Sequence, residues 1–366
     1  MKDNQQTLQW LFDSGRIDLR RGPIFDLDPG PMPASFDFDR VEGMMLGLAI
    51  GDSLGNTSEG MNPQERHARW GEIRDYLSHS VLGEARGYPT DDTQMAFWTL
   101  EQMIADGEFD PEHVAATFCS GHIFGIGSAV REFIRNCKDR KKPWYECGPK
   151  SAGNGALMRI APMVIPHLKT GTSRLWADAA LSAMLTHNDS GSIAACISFV
   201  RMLWLLLWMK TPPPAEWWLD SYVQVASELE IGEGYRPRGG DFLDYRGPIW
   251  RFAQERLSEA YAKGQSALEA CNSWHSGAYL LETMPSVLYI LMLYGHDPEE
   301  AIIRAVNDTR DNDTVAAIVG AAVGALHGRD KLPERWVSRL SGRTRADDDG
   351  RLFDLLAEAR PPRFAE

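Results

Sequence analysis

Two apolar runs with glycines four residues apart constrain the fold of this chain more than any other feature. The runs read VEGMMLGLAI from Val41 and VAAIVGAAVGALHG from Val315. Their regularly spaced glycines are Gly43, Gly47 and Gly51 in the first and Gly320 and Gly324 in the second. Glycines one helical turn apart share a face and let another backbone approach closely. We therefore predict that these two helices cross in the core of the protein.

Two short acidic clusters each open directly onto a helix-like run. They read Thr90-Asp91-Asp92-Thr93 and Asp311-Asn312-Asp313-Thr314. Carboxylates and hydroxyls are hard oxygen donors, which suit Mg²⁺ or Mn²⁺ better than zinc. Asp and Thr at a helix start are also ordinary N-caps, so each cluster alone has a capping interpretation. One cap needs only one side chain, however, and crowded carboxylates oppose each other's ionisation without a cation. Together the clusters predict a two-metal site.

Helical spacing dominates the rest of the chain, and alternating strand patterns are nearly absent. Further helices are predicted over residues 92–105, 111–119, 128–137, 174–185, 190–209, 217–229, 251–262, 277–294, 297–307 and 351–358. Breaks are expected at the Pro212-Pro213-Pro214 turn and in the loop of residues 231–248. The pattern predicts an all-α globule.

The first 39 residues differ from the rest, because four prolines interrupt them and leave only a short helical candidate from Thr7 to Ser14. We predict an N-terminal arm over residues 1–39 and a main domain over residues 40–366. Apolar side chains of the arm either pack back on the body or meet a partner protein. These side chains are Trp10, Leu11, Phe12, Ile24 and Phe25.

The balance of charge limits the partners. The chain has 38 basic and 51 acidic residues, a net charge of −13, which argues against an extended nucleic-acid or membrane surface. The longest apolar run, residues 197–209, is too short to span a bilayer and contains Arg201. The N-terminus lacks the features of a secretion signal. We predict a cytoplasmic protein.

Cysteine usage points the same way. The five cysteines are odd in number, widely scattered and without paired zinc-type spacing. We expect all five to be reduced thiols, mostly buried.

Two glycine-rich loops lie between the acidic clusters. Gly125-Ile126-Gly127-Ser128 leads into a helix whose N-terminus would offer free N–H groups to an anion, although taken alone this short string favours a plain turn. The second loop reads SAGNGALMR from Ser151 to Arg159. A tight turn explains its Asn154-Gly155 pair but not the Ser151 and Arg159 beside it.

Two single residues are open to two interpretations each. Glu59 is either a surface carboxylate or a general acid or base at the mouth of a site. His187 is either a capping residue in a loop or a donor to a ligand.

Taken together and in order, these strings resemble the ADP-ribosylglycohydrolase family, which includes the dinitrogenase-reductase-activating glycohydrolase. The resemblance runs from about Val41 to Gly328 through GMMLGLAIGDSLG, PTDDT, GIGS, SAGNGALMRIAP, LTHND, LETMPSVLYIL and DNDTVAAIVGAAVGALHG. It implies a single all-α domain of orthogonal helices with a binuclear Mg²⁺ or Mn²⁺ centre in a cleft. The implied metal ligands are Thr90, Asp91, Asp92, Asp311, Asp313 and Thr314. The implied phosphate and ribose contacts are Gly125, Gly127, Ser128, Ser151, Gly153, Asn154, Gly155, Met158, Arg159 and His187.

The resemblance also implies an activity. It points to a metal-dependent hydrolase that removes ADP-ribose from modified protein side chains, with arginine as the favoured linkage. Asp92, Asp313 and Glu59 would be the carboxylates that orient or deprotonate the attacking water. A catalytically silent ADP-ribose binder is the alternative.

The family includes immunity proteins that counter ADP-ribosylating toxins, so the resemblance implies a partner as well. Residues 1–39 are a candidate for binding such a transferase toxin. The arm could also block a toxin independently of any enzyme activity.

The sequence departs from the family pattern at three places. Thr309 and Arg310 precede the second cluster where many members have two glycines, which would either narrow the cleft or add a positive charge near the leaving group or phosphate. Ala152 replaces an aromatic residue that stacks on adenine in some members, so any stacking would fall to another residue, such as Tyr279 or a nearby Trp. Gly125 stands where some arginine-specific members have an acidic residue, so the arginine linkage is a preference and not a consequence.

Overall fold

The computed structural model describes residues 3–78, 83, 85–232 and 234–361, and this part of the chain is almost entirely helical. It contains isolated β-bridges but no β-strand within those ranges. The α-helices are α1 (Asn4–Asp13), α2 (Asp39–Asn56), α3 (Pro63–Trp70), α4 (Asp91–Asp106), α5 (Pro111–Ser120), α6 (Ser128–Lys138), α7 (Arg174–Thr186), α8 (Ser190–Leu206), α9 (Ala215–Leu229), α10 (Ile249–Ala262), α11 (Ala267–Ser273), α12 (Leu280–Tyr294), α13 (Pro298–Asp308), α14 (Asn312–His327), α15 (Glu334–Val337) and α16 (Arg351–Glu358). Short 3₁₀ helices cover Pro23–Asp26, Trp144–Glu146, Leu157–Arg159, Ala161–His167 and Arg329–Lys331. The all-α prediction is confirmed.

Every predicted helix is present, with ends shifted by a few residues. Apolar periodicity did not indicate α3, α11 and α15, which are short helices with little of that pattern. Capping boxes could have revealed two of them, since Asn62 and Glu65 cap α3 reciprocally and Ser266 and Glu269 do the same for α11. Among the helices of the described ranges, none combines the length and apolar character needed to cross a bilayer.

Helices α2 and α14 cross with their backbones in direct contact, as predicted. A Cβ atom added to a glycine of α2 would collide with the backbone of α14. The facing pairs are Gly43 with Gly324, Gly47 with Gly320, Gly51 with Ala316 and Gly55 with Asp313. The pairing is antiparallel, so the C-terminal end of α2 lies against the N-terminal end of α14. The crossing therefore places the end of α2 beside the second acidic cluster.

The N-terminal residues pack into the body. Helix α1 lies on α7, where the buried Asn4 donates hydrogen bonds to Asp178 Oδ1 (2.6 Å) and to the carbonyl of Phe109 (2.8 Å). Of the apolar side chains in question, Leu11, Ile24 and Phe25 are buried, Phe12 is partly buried and Trp10 is 43% exposed. Of the two alternatives for these side chains, packing back on the body therefore holds for most of them. The division into 1–39 and 40–366 stays a prediction, and residues 1–2 and 362–366 lie outside the described part.

The expectation of five reduced cysteines is wrong. Cys137 and Cys147 form a disulfide, with their Cα atoms 5.6 Å apart. The bond joins the end of α6 to the turn after Trp144–Glu146, which brings together residues only ten apart in sequence. Cys196 and Cys271 are buried free thiols, and Cys119 is a half-buried one. Disulfides are typical of oxidising compartments. Cysteine usage therefore no longer supports a cytoplasmic location, which stays a prediction.

A buried carboxylate joins two helices and gives a test of pH dependence. Helix α10 follows Pro248, whose side chain cannot cap it, and Glu230 accepts hydrogen bonds from the backbone N–H groups of Ile249 (2.6 Å) and Trp250 (3.2 Å) instead. Burial raises the pKa of Glu230 to about 8, although those two hydrogen bonds oppose the shift. The unfolded chain loses this proton near its ordinary pKa of about 4.5. The stabilising contribution of protonated Glu230 is therefore fully present below that value and is lost as the pH rises towards 8.

We expect Glu230→Gln to reduce this loss. Between pH 5.5 and 8 the free energy of unfolding of the wild type should fall by up to about 3 kcal/mol more than that of the variant, because glutamine does not titrate. Urea unfolding of both proteins at the two pH values measures the difference. An equal change in the free energy of unfolding of both proteins would show that Glu230 is already ionised in the folded protein at pH 5.5.

Candidate metal centre and its cleft

The fold brings both predicted acidic clusters to one cleft. The first cluster begins α4 and the second begins α14, and the α2–α14 crossing adds Asp52 from the end of α2. Asp52, Asp92 and Asp313 each offer one carboxylate oxygen within 4.8 Å of the others, and all three side chains are buried. Sequence reasoning did not select Asp52 as a site residue. Its position directly after the glycine face of α2 was the available signal.

Asp52 also explains what caps α4. Thr90 is the cap residue of that helix, but its side chain makes no capping hydrogen bond. Asp52 Oδ2 instead accepts the N–H (3.1 Å) and the hydroxyl (2.5 Å) of Thr93, and Asp52 Oδ1 accepts the Thr90 hydroxyl (2.7 Å). A carboxylate from another helix thus takes the capping role, which ties α2 to α4.

The capping interpretation of the two clusters therefore fails. Asp311, the cap residue of α14, makes no capping hydrogen bond through its side chain either. Asp92 Oδ1 and Asp313 Oδ1 are buried with no hydrogen-bond partner among the described residues. Such acceptors are rare in folded proteins unless something else satisfies them. The donor set consists entirely of hard oxygens and fits a divalent cation such as Mg²⁺ or Mn²⁺.

The electrostatics of the cluster lead to the same conclusion. Burial, followed by the charge of neighbouring carboxylates, raises the pKa of Asp92 and of Asp313 well above the ordinary range. Burial also raises the pKa of Asp91 to about 7 and that of Asp311 to about 6. Proton binding and cation binding are two ways of neutralising such a cluster. A cation would stabilise the ionised carboxylates that the protein alone disfavours.

The glycine loop of residues 151–155 is tied directly to the second cluster. Asn154 Nδ2 donates to Asp311 Oδ2 at 2.6 Å and to the hydroxyl of Thr283 at 3.1 Å. These bonds fix the orientation of the Asp311 carboxylate. Asn154 therefore positions an acidic residue and lies at the cleft wall.

Glycine is required in this loop because of His187. A Cβ atom on Gly155 would lie 2.9 Å from the His187 ring, and one on Gly153 would lie 3.3 Å from its Nε2. The ring is buried, and its Nδ1 lies 2.9 Å from the Thr186 hydroxyl. Burial, with a smaller effect from Arg159, lowers the pKa of His187 to about 3. His187 is therefore neutral and can act only as a hydrogen-bonding group.

The other glycine loop faces Asp91. Gly125 has φ +62°, a conformation that favours glycine, and a Cβ atom there would lie 3.4 Å from Asp91 Oδ1. Gly127 caps α6 without a side-chain hydrogen bond, which leaves the first N–H groups of that helix available.

A cavity of about 220 Å³ lies between these elements. Its predicted lining residues are Glu59, Asp91, Asp92, Gly125, Gly127, Ser128, Ser151, Gly153, Asn154, Gly155, Met158, His187, Asp311, Asp313 and Thr314. Residues that the sequence analysis missed also line it: Ala129, Val130, Arg238 and Ala278. Glu59 is exposed as a residue, but its carboxyl lines the cavity, where partial desolvation and then the charge of Asp311 raise its pKa.

Four predicted or suggested residues lie elsewhere. Arg159 is fully buried and donates hydrogen bonds to Ser182 and Thr186. Its side chain therefore stabilises the packing of α7 and does not reach the cavity. The Thr90 hydroxyl is engaged by Asp52 and does not line the cavity. Arg310 and Tyr279, suggested for the leaving group and for adenine, are also absent from the lining.

Comparison with known proteins then identifies the family. The model of the ADP-ribosylglycohydrolase family matches residues 33–364, most of the chain. The chain belongs to the ADP-ribosylglycohydrolase family. It is therefore a hydrolase that acts on ADP-ribosylated substrates. The match begins at residue 33, inside the predicted arm.

Individual members of the ADP-ribosylglycohydrolase family are distant relatives of this chain. ADP-ribosylarginine hydrolase Tri1 of Pseudomonas putida (strain GB-1) is 26% identical, over 83% of this chain and 74% of the relative. ADP-ribosyl-(dinitrogen reductase) glycohydrolase of Rhodospirillum rubrum is 27% identical, over 88% of this chain and 97% of the relative. ADP-ribosylhydrolase ARH3 of Homo sapiens is 25% identical, over 86% of this chain and 92% of the relative.

A solved structure supports the fold of this family member. It is described as an ADP-ribosylglycohydrolase-related protein complex and superposes with a TM-score of 0.62 at 25% identity. The match covers 88% of this chain and 99% of that one.

Proposed function

We propose that this protein is a metal-dependent hydrolase that releases ADP-ribose from arginine side chains of modified proteins, using two Mg²⁺ or Mn²⁺ ions. The observation that carries the metal requirement is the pair of buried, unpartnered oxygens on Asp92 and Asp313, next to Asp52. The arginine linkage is supported by the similarity to the two proteins named ADP-ribosylarginine hydrolase.

The ions would be held by carboxylates and a hydroxyl at the end of α2 and at the starts of α4 and α14. The residues are Asp52, Asp91, Asp92, Asp311, Asp313 and Thr314. When bound, divalent cations supply Lewis-acid chemistry, which lowers the pKa of water and attracts ribose hydroxyls. Asn154 would orient the Asp311 carboxylate through its hydrogen bond, and Asp52 would hold the start of α4 through the bonds it accepts from Thr90 and Thr93.

Proton transfer is assigned to Glu59. All three carboxylates line the cavity, but Asp92 and Asp313 are buried in the acidic cluster, whereas Glu59 is exposed, so that solvent and a leaving group can reach it. A carboxyl there can accept a proton from the attacking water or donate one to the departing nitrogen. The free N–H groups at the start of α6 and the loop of residues 151–155 would orient the ligand.

The linkage is tested with a panel of substrates. Purified protein is incubated with arginine-, serine- and nucleic-acid-linked ADP-ribose in Mg²⁺ or Mn²⁺, and free ADP-ribose is quantified by chromatography. The proposal expects release from the arginine linkage at the highest rate. Faster release from serine or nucleic acid would overturn the linkage, and tight binding with no release from any substrate would favour the silent binder.

The role of the N-terminal segment in binding a transferase toxin stays a prediction. Most of its apolar side chains are buried against the body, which leaves Trp10 and Leu27 as exposed anchors, 43% and 60% exposed. Deleting residues 1–39 would remove core contacts, so Trp10→Ser with Leu27→Ser is the sharper test. Unchanged affinity for every candidate toxin would end this proposal.

A further inference from the structure

Arg238 is a cation on the wall of a cavity otherwise rich in carboxylates. No other Lys or Arg of the described residues lines that cavity, which Glu59, Asp91, Asp92, Asp311 and Asp313 make strongly acidic. Sequence reasoning placed Arg238 only in a loop with a break in structure. The structure puts Arg238 on the same cavity as the two glycine loops.

A buried carboxylate fixes the Arg238 side chain. Arg238 Nε donates to Glu282 Oε1 at 3.1 Å and Nη2 donates to Oε2 at 2.9 Å, and the Arg238 backbone N–H donates to Oε1 at 3.0 Å. Glu282 has no exposed surface and lies in the first turn of α12. The guanidinium also lies 5.1 Å from the centre of the Tyr279 ring. Two separate contacts therefore hold the guanidinium plane in one orientation.

Part of the guanidinium remains free for a ligand. Its side chain is 53% exposed although its partner Glu282 is completely buried. Within the described part of the chain, Nη1 makes no hydrogen bond, and a guanidinium has five N–H donors in all. Glycine at position 277 keeps the site open, since a Cβ atom there would lie 2.7 Å from Glu282 Oε2 and 3.3 Å from Arg238 Nη2.

The charge of the cavity explains what these donors would bind. A diphosphate entering a wall of carboxylates is repelled unless cationic groups compensate for its charge. Arg238 lines the same cavity as Asp311 and Asp313. It therefore lies beside the second acidic cluster, where it can face an anion held next to the metal ligands.

We infer that Arg238, held in place by Glu282, binds a phosphate group of the ligand's diphosphate. The inference rests on the proposed function, which makes ADP-ribose the ligand. Arg238 would be a binding residue and Glu282 a positioning residue, and neither would take part in proton transfer.

The experiment compares ligands with and without phosphate. Calorimetry with Mg²⁺ measures the affinities of ADP-ribose, ADP and adenosine for the wild type, Arg238→Gln, Arg238→Lys and Arg236→Gln. Arg236 is the matched control, because its side chain is exposed in the same loop and does not line the cavity. Arg238→Gln should weaken ADP-ribose and ADP about 10- to 100-fold, as expected for loss of a hydrogen bond between charged groups. Adenosine binding should change less than threefold, and lysine should restore part of the loss.

Glu282 requires its own control, because removing Arg238 leaves a buried carboxylate unpaired. The double variant Arg238→Gln/Glu282→Gln removes that charge, and its thermal melting shows whether the loop keeps its fold. If the folded double variant binds ADP as tightly as the wild type, or if adenosine weakens as much as ADP, the inference is overturned. Binding is measured separately from turnover. A wild type that binds ADP-ribose but releases none from any modified substrate would end the hydrolase proposal. The comparison of Arg238 variants would still decide the inference about the phosphate contact. A wild type that binds neither ADP-ribose nor ADP would overturn both.

Discussion

Asp313→Asn is expected to lower the rate of ADP-ribose release by about 1000-fold or more while leaving the protein folded. A divalent cation contributes several kcal/mol to transition-state stabilisation, and Asp313 supplies one of the three carboxylates of the buried cluster. The asparagine is nearly the same size, so packing at the α2–α14 crossing should be kept. Asp92→Asn should behave in the same way.

Melting temperature separates this explanation from simple misfolding. Without a cation the variant should be at least as stable as the wild type, because it removes one member of a mutually repelling buried cluster. Added Mg²⁺ or Mn²⁺ should raise the melting temperature of the wild type but not that of the variant. Asp244→Asn, an exposed acidic residue away from the cavity, is the matched control. An Asp313→Asn protein that melts far below the wild type without metal would contradict this account of the cluster.

Gly47→Ala is expected to destabilise the protein by about 3 kcal/mol or more, or to prevent folding. The added Cβ would collide with the carbonyl of Gly320, and helix backbones cannot move apart there without disturbing the contacts on either side. Urea unfolding measures the loss. Because the same crossing holds Asp52 beside Asp313, any folded variant should also bind metal more weakly.

Gly234→Ala provides the comparison for this prediction. A Cβ atom at Gly234 meets no atom within 4 Å, and its φ is not in the left-handed region. Its stability should therefore stay close to that of the wild type. Equal stability of the two variants would show that α2 and α14 are not packed as tightly as the structure indicates.

The sequence predicted the α2–α14 crossing because close helix packing demands small residues at fixed spacing, and Gly47 and Gly320 show it directly. It predicted most of the cavity lining for a similar reason, since glycine loops and acidic helix starts are local signals. Apolar periodicity was a poor guide to the short polar helix α3, for which the capping box was the stronger signal.

The residues that sequence reasoning missed depend on contacts between distant segments. Asp52 joins the cluster only because α2 runs antiparallel to α14, and Arg238 reaches the cavity only because Glu282, 44 residues later, holds it. Arg159 illustrates the opposite error. Its place in a glycine-rich string suggested a ligand contact, yet its side chain points into the core between Ser182 and Thr186. Spacing along the chain does not give side-chain direction at the end of a loop.

The most direct test is the metal dependence of ADP-ribose release from an arginine-modified protein. The enzyme is stripped with a chelator, its metal content is checked by elemental analysis, and release is measured before and after Mg²⁺ or Mn²⁺ is restored. We predict no release from the stripped enzyme and recovery with either ion in the wild type, but not in Asp313→Asn. Undiminished release from enzyme shown to be free of metal would contradict the proposed role of the acidic cluster.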